Sequence, residues 1–157
     1  MNNYKLYIFD WDGTLMDSVG RIVSSMQAAA KMTNVPEPSI EGAKGIIGLS
    51  LAKGIKQLFP EATEAQQTAI FHNYKKQYLE INTTPSVLFE HTLELLAALK
   101  AKDKTLAIAT GKARDGLERI WDVTQTKHFF ASSRTADDAQ SKPHPDMLEQ
   151  PQFHLIL

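Results

Sequence analysis

Two carboxylates separated by one residue, Asp10 and Asp12, follow a short apolar run and precede Gly13 and Thr14. In such a pair one carboxylate can attack phosphorus as a nucleophile while the other handles the proton of the leaving group. Because crowded carboxylates repel each other, the pair also favours a divalent cation, and Mg²⁺ prefers hard oxygen ligands of this kind. Taken alone, the same residues also describe an acidic turn after a strand, since Asp-Gly is a common turn pair.

Two further polar clusters could complete a phosphate site. Thr110 and Gly111 precede a predicted helix, where a hydroxyl and free backbone N–H groups favour an anion. A threonine cap followed by a glycine turn is the structural alternative. Lys142 precedes Pro143 and could hold one fixed positive charge against a phosphate or against the crowded carboxylates, although a Lys-Pro pair is also common in solvated loops.

The clusters are expected at the ends of strands. Residues 4–9 form an apolar run too short for a helix, residues 105–109 form a second, and a third short strand is predicted near residues 128–131. Predicted helices separate these strands, an alternation that favours a parallel α/β sheet. Ligands of open α/β sheets bind at the carboxyl ends of the strands, where we expect Asp10 and Thr110 to meet.

The stretch between the first two strands is mostly helical and too long for a simple crossover. Ser18 can cap its first helix, residues 39–59 predict short helices broken by glycines, and Thr63 with Gln66 predicts a capping box. We therefore expect residues 16–85 to form an inserted subdomain, here called the helical cap.

The remaining residues, 1–15 and 86–157, are expected to form the α/β core. Leu93, Leu96 and Ala97 indicate one amphipathic helix of this core, and Leu117 with Trp121 indicates another. A last helix is predicted to begin at residues 146–149 and to be cut by Pro151.

Composition narrows the class of protein. The 157 residues are 43% hydrophobic and 22% charged with a net charge of −1, which fits a globular domain and argues against a nucleic-acid or membrane-surface protein. The chain has no cysteine, so disulfides and cysteine nucleophiles are excluded. The apolar run before Asp10 is too short for a signal core or a membrane span. We expect a soluble, cytoplasmic protein.

The three clusters taken together resemble a known family. The array Asp-x-Asp-Gly-Thr-Leu-x-Asp-Ser, then Ala-Thr-Gly-Lys, then Lys-Pro-x-Pro resembles the haloacid dehalogenase-like phosphohydrolase superfamily, most of all its phosphoglycolate phosphatase-like branch. The resemblance runs from about Tyr4 to Leu148. It implies a Rossmann-like parallel sheet with a helical cap inserted after the first strand.

The resemblance also implies a role for each matched position. Asp10 would be the nucleophile that forms an aspartyl-phosphate, and Asp12 the general acid and base. The Asp10 carboxylate and the Asp12 backbone carbonyl would bind Mg²⁺. Thr110 and the Gly111 amide would hold the phosphoryl group, and Lys142 would stabilise the charge between nucleophile and phosphate. The cap would exclude water and select the substrate.

One family motif is not found. An acidic Gly-Asp-x-x-x-Asp loop beyond the Lys-Pro segment completes the family's Mg²⁺ site, but this chain ends at Leu157, 15 residues after Lys142, with no acid in its last eight residues. Asp137 and Asp138 precede Lys142 and are interpreted as a solvated loop. We therefore expect a C-terminally truncated member that lacks the third acidic ligand.

Three functions remain open at this point. The first is an Mg²⁺-dependent phosphatase acting on a small phosphorylated metabolite such as phosphoglycolate, pyrophosphate, a nucleotide or a sugar phosphate. The second is an inactive remnant that binds phosphate weakly. The third is an interaction module in which the helical cap alone binds a partner. The incomplete core also predicts an exposed sheet edge and self-association.

Overall fold

A three-stranded parallel sheet forms the centre of the structure, a computed structural model that describes residues 4–149. The strands are β1 (Leu6–Phe9), β2 (Met16–Asp17), β3 (Val87–Leu88), β4 (Thr105–Ala109) and β5 (Ser132–Arg134). The helices are α1 (Val19–Met32), α2 (Ile40–Lys44), α3 (Leu51–Leu58), α4 (Glu64–Lys76), α5 (Thr92–Ala101), α6 (Arg114–Thr124) and α7 (Asp146–Glu149). A π-helical turn (Gln77–Ile81) continues α4, and a 3₁₀ turn (Lys127–Phe129) follows α6.

The sheet has the order β1-β4-β5, with all neighbours parallel. Leu6 pairs with Thr105, and Ala107 pairs with Ser132. Because all strands run the same way, the loops after β1 and β4 emerge at one edge of the sheet. The predicted α/β class and the first two predicted strands are confirmed.

Two hydrophobic clusters stabilise the described residues. The first packs around the sheet, with Trp11, Leu106 and Leu117 fully buried. The second joins α1 to α4 through buried side chains such as Met26 and Ile70. The short antiparallel pair β2–β3 lies where the chain leaves and re-enters the sheet region. The boundaries of the helical cap at residues 16 and 85 remain a prediction.

Local sequence signals explain most helix starts. The predicted capping box is confirmed at α4, where Thr63 Oγ1 accepts from Gln66 N–H and the Gln66 side chain accepts from Thr63 N–H. Ser18 precedes α1, but its hydroxyl donates to Asp12 instead of capping the helix. Gly54, predicted to break a helix, lies inside α3. Glycine allows close packing at this position, since a Cβ there would lie 2.9 Å from Ile46 Cδ1.

One expectation about the core is wrong and another is confirmed in part. The third strand is not at residues 128–131 but at Ser132–Arg134, because residues 127–129 form the 3₁₀ turn and Phe130 stacks on Trp121, with ring centroids 5.9 Å apart. The helix predicted from Leu93, Leu96 and Ala97 is confirmed as α5, but of these three residues only Leu96 is buried.

The final helix begins at Asp146 as predicted. The predicted break at Pro151 and the acid-free tail lie outside the described residues. Between residues 4 and 149, no helix is long and apolar enough to cross a membrane.

Candidate active site

A tight turn after β1 carries the two candidate carboxylates. The carbonyl oxygen of Trp11 accepts hydrogen bonds from the N–H groups of Thr14, Leu15 and Met16, at 3.0–3.2 Å. Gly13 closes the turn at a φ of +74°, a conformation that favours glycine. The buried Trp11 side chain, whose Nε1 donates to Met16 Sδ at 3.3 Å, anchors the turn in the core. The turn therefore holds Asp10 and Asp12 on either side of a fixed residue.

Lys142 reaches the Asp10 carboxylate. Its Nζ lies 2.8 Å from Asp10 Oδ2 and donates to the carbonyl oxygen of Ala109, the last residue of β4, at 2.9 Å. The other carboxylate oxygen, Asp10 Oδ1, accepts from Trp11 N–H at 2.7 Å. Lys142 is therefore a fixed charge beside Asp10 rather than part of a solvated loop, and the sheet edge assembles the residues that the sequence predicted to meet.

Asp12 has a separate cationic partner. Lys112 Nζ donates to both of its carboxylate oxygens, at 3.0 and 2.9 Å, and the Ser18 hydroxyl donates to Oδ1 at 2.7 Å. Burial by itself would lower the pKa of Lys112, but the charge of Asp12 and the neighbouring Tyr78 outweigh it and raise the pKa above its usual value. Lys112 is thus a protonated partner of Asp12, and only about one seventh of each side chain is exposed, 14% for Lys112 and 13% for Asp12.

Lys112 is the site residue that sequence reasoning missed. It belongs to the Thr-Gly-Lys triplet, whose first two residues were assigned to phosphate binding while the lysine received no role. Its partner lies 100 positions earlier in the chain, so no local pattern pairs them. A lysine directly after a predicted anion site was the available signal.

Thr110 and Gly111 form the second wall of the site. Thr110 is buried, its N–H donates to Arg134 C=O in β5, and its hydroxyl accepts from Lys112 N–H at 3.2 Å. Gly111 lies directly under a loop of the helical cap, because a Cβ at this position would lie 2.4 Å from the carbonyl oxygens of Gly48 and Leu49. Only glycine allows this approach of the two backbones.

The loop of the helical cap also contacts the Lys142 segment. Ser50 N–H donates to Ser141 Oγ at 2.8 Å, and Lys53 Nζ donates to the carbonyl oxygen of Lys142 at 3.2 Å. Gly48, at a φ of +97°, lets the loop turn beside Asp10. The cap loop thus touches the loops after β4 and β5 as well as Asp10.

A cavity of about 550 Å³ opens beside these groups. Asp10, Asp12, Thr110, Gly111 and Lys112 line one end. The remaining wall comes from α1, from α4 with its π-helical turn, from α6, from the cap loop with the start of α3, and from residues just before β3 and after β5. The arrangement can hold an anion beside the Asp10 carboxylate, with Lys112 in the cavity wall and Lys142 paired to Asp10.

The other acidic candidates have protein donors of their own, although Asp137 also lines the cavity. Asp138 accepts from Thr135 and pairs with Arg114, while Asp137 accepts from Arg114 N–H at 2.6 Å at the start of α6. Both residues are exposed in a turn, as the interpretation of a solvated loop expects, and their carboxylates also accept from backbone and side-chain donors. Asp17 is exposed in β2.

The donor set for a metal ion is limited to hard oxygens at the β1 turn. Within residues 4–149 no group of three His, Asp or Glu side chains could hold a metal ion. Mg²⁺ is usually bound through one or two carboxylates together with water and substrate phosphate. The Asp10 carboxylate and the Asp12 backbone carbonyl fit that pattern, with one Asp10 oxygen already paired to Lys142.

Two phosphatase relatives match most of the length of this chain. A Dickeya dadantii (strain 3937) protein named "Probable phosphatase IndB" is 32% identical over 146 residues, which are 90% of this chain and 64% of that protein. A phosphoglycolate phosphatase of Haemophilus influenzae is 27% identical over 151 residues, 90% of this chain and 67% of the relative. The chain thus spans about two thirds of the length of these relatives.

A solved structure shows that the likeness to known proteins includes the fold. The crystal structure described as a predicted phosphoglycolate phosphatase from Haemophilus somnus 129pt superposes with a TM-score of 0.79 at 26% identity, over 99% of this chain and 71% of that one. Residues 7–151 match the family described as haloacid dehalogenase-like hydrolase. The chain belongs to the haloacid dehalogenase-like hydrolase family.

Proposed function

We propose that the protein hydrolyses a phosphate monoester through a phosphoryl group carried by Asp10, with Mg²⁺ as cofactor. The observation that carries the proposal is the Asp10 carboxylate, which lines the cavity and has Lys142 Nζ at 2.8 Å. A carboxylate beside a fixed ammonium can approach an anionic phosphate without net repulsion. The family match and the phosphatase relatives support the same reaction class.

In the first step, an oxygen of Asp10 attacks phosphorus and the bond from phosphorus to the leaving oxygen breaks. Asp12, in its protonated form, gives its proton to that oxygen, so an alcohol leaves and Asp10 carries the phosphoryl group as an acyl phosphate. Thr110 and the Gly111 N–H would hold the phosphoryl oxygens, and Lys142 would balance their negative charge.

In the second step, water attacks phosphorus and the bond to Asp10 breaks. Asp12 accepts the proton of that water, and inorganic phosphate leaves. In the structure Lys112 is hydrogen-bonded to both oxygens of the Asp12 carboxylate. It would hold the ionised Asp12 that accepts the proton in this second step, and it would release one oxygen when Asp12 carries the proton for the first step. The cap loop over Gly111 limits the access of bulk water to the phosphoryl group.

A metal ion would be held by the Asp10 carboxylate and the Asp12 carbonyl. Its chemistry would be to neutralise phosphate charge during transfer. The described residues supply no third acidic ligand. That observation favours a second candidate function, a protein that binds phosphate weakly and turns nothing over.

Phosphate release by the purified chain separates the two functions. The assay uses phosphoglycolate, pyrophosphate, a nucleoside monophosphate and a sugar phosphate, each with Mg²⁺ or with a chelator, for the wild type, Asp10→Asn and Asp17→Asn. Asp17 is a matched control because it belongs to the same acidic stretch but is exposed in β2. We expect Mg²⁺-dependent release that is lost in Asp10→Asn and kept in Asp17→Asn. Release equal in wild type and Asp10→Asn overturns the proposal.

A further inference from the structure

The cavity beside Asp10 is larger than a two-carbon substrate needs. Its volume is about 550 Å³. At about 30 Å³ for each water-sized group, this space takes about 18 groups, roughly twice the nine non-hydrogen atoms of phosphoglycolate. Ligand sites normally enclose most of the surface of their ligand. The volume therefore leaves room for a larger leaving group.

Two helix faces form the far walls of the cavity. On the cap side Phe71, Tyr74 and Tyr78 recur at the spacing of one helical face, through α4 and its π-helical turn. On the core side Ile120 and Val123 lie on α6. An aromatic face and an aliphatic face thus line the space beyond the phosphate end.

The aromatic wall contains a stacked tyrosine pair with cations at one end, since Arg21 lies 5.2 Å and Lys112 Nζ 5.3 Å from the Tyr78 ring centroid. The rings of Tyr74 and Tyr78 are stacked, with centroids 5.7 Å apart and planes 26° apart. Burial, together with the nearby Tyr78 and Asp12, raises the pKa of Tyr74 well above its usual value, so its phenol stays protonated. Flat rings that are already stacked offer a surface on which a further flat ring can pack.

The cations near the phosphate end already have protein partners. Lys112 pairs with Asp12 and Lys142 with Asp10. Arg21 donates to the carbonyl oxygen of Tyr78 at 2.7 Å through Nη2. A carboxylate next to the phosphate would compete with Asp12 for Lys112 and with Asp10 for Lys142, whereas Arg21 donates to backbone carbonyl oxygens.

Two further basic residues line the cavity, Lys75 and Arg119. Lys75 pairs with Asp115 at 3.4 Å, and Arg119 lies on α6 five positions after its first residue, about 7.5 Å along a helix. Either residue could bind a polar group that the substrate carries beyond its phosphate.

We propose, on the basis of the phosphatase function above, that the substrate is a phosphate monoester of an alcohol bearing a flat aromatic ring. The phosphate lies at Asp10 and the ring packs between the Tyr74–Tyr78 pair and the α6 face that includes Ile120 and Val123. The reaction releases that aromatic alcohol and inorganic phosphate.

The test compares esters that share a primary alcohol leaving group. They are ethyl phosphate, 2-phenylethyl phosphate and 2-cyclohexylethyl phosphate, with phosphoglycolate beside them. We expect kcat/KM about tenfold or more higher for the phenyl ester than for ethyl phosphate and phosphoglycolate, and higher than for the cyclohexyl ester. Equal values for ethyl and phenyl esters, or for phenyl and cyclohexyl esters, overturn the proposal.

A charge placed in the wall gives a matched variant. Val123→Asp alters an α6 residue that is 73% exposed, so folding is expected to be unaffected. The phenyl-to-ethyl ratio should fall about threefold or more in Val123→Asp, because the ring loses an apolar contact. Leu95→Asp makes the same kind of change at a 47% exposed residue of α5 outside the cavity and should leave the ratio unchanged. A ratio unaltered in Val123→Asp contradicts the placement of the ring.

Calorimetric binding to Asp10→Asn keeps this proposal separate from the phosphatase function. A preference for 2-phenylethyl phosphate over ethyl phosphate in binding, with no turnover by the wild type, supports the aromatic site and refutes catalysis. Turnover with no such preference in binding or in kcat/KM supports catalysis and refutes the aromatic site.

Discussion

Replacing Lys112 by methionine should destabilise the protein far more than the loss of an ordinary surface charge. Lys112 Nζ lies 2.9 Å from Asp12 Oδ2, and the two side chains are 14% and 13% exposed. At this distance and an effective dielectric constant of about 20, the attraction is about 6 kcal/mol before desolvation is subtracted. Removal of one partner of a buried pair costs about 3–5 kcal/mol, because the other charge is left unpaired.

We expect the lower end of that range, about 3 kcal/mol, because the Ser18 hydroxyl still donates to Asp12 at 2.7 Å in the variant. Lys75→Met is the matched control: its partner Asp115 lies 3.4 Å away, and the two side chains are 41% and 59% exposed. An exposed pair of this kind contributes about 0.5 kcal/mol.

Urea unfolding in the presence of a chelator, followed by the fluorescence of the buried Trp11 and Trp121, measures both free energies. The double variant Lys112→Met with Asp12→Asn should lose much less than the sum of the two single variants, because neither charge is then left alone. If Lys112→Met is no less stable than Lys75→Met, the buried pair does not stabilise the fold and the reasoning is refuted.

Three more predictions follow from the same contacts. Gly111→Ala should lower the free energy of unfolding by about 1–3 kcal/mol and weaken activity, since its Cβ meets two carbonyl oxygens of the cap loop. Gly116→Ala is the control and should be neutral or stabilising, because its Cβ comes no nearer than 3.6 Å to Lys112. Equal effects of the two variants would contradict the close approach at Gly111. The pKa values of Lys112 and Tyr74 are both raised, so their contribution to stability is present below pH 10.5 and pH 10.0 respectively and is lost as the pH rises past the raised values. Denaturation curves up to about pH 12 should show a fall in the free energy of unfolding that is smaller in Lys112→Met and in Tyr74→Phe. A flat profile in the wild type would refute this prediction. Within the described residues β1 pairs only with β4, so sedimentation should detect self-association through its free edge, which a monomer at all concentrations would contradict.

Local patterns in the sequence predicted the parts of the site that depend on chain neighbours. Asp10 follows a strand, Thr110 follows another, and parallel strands bring such ends together. The capping box at Thr63 was readable for the same reason, because its partners are three residues apart. The family and the α/β fold predicted from these motifs are confirmed.

Contacts between segments that are distant in the chain could not be predicted from local sequence patterns. The Lys112–Asp12 pair, the cap loop over Gly111 and the hydrogen bond from Ser50 to Ser141 each join residues that are far apart in the chain. The third strand begins later in the chain than predicted, because Phe130 packs on Trp121 through a tertiary contact instead of joining the sheet. Periodicity gives no information about either kind of contact.

The most direct test of the account is the identity of the residue that carries the phosphoryl group. The chain is quenched in acid during turnover of a phosphate ester, digested, and analysed by mass spectrometry for one added phosphoryl group. We expect the group on Asp10 in the wild type, and neither the adduct nor turnover in Asp10→Asn. Turnover that persists in Asp10→Asn, or a phosphoryl group on another residue, would contradict it.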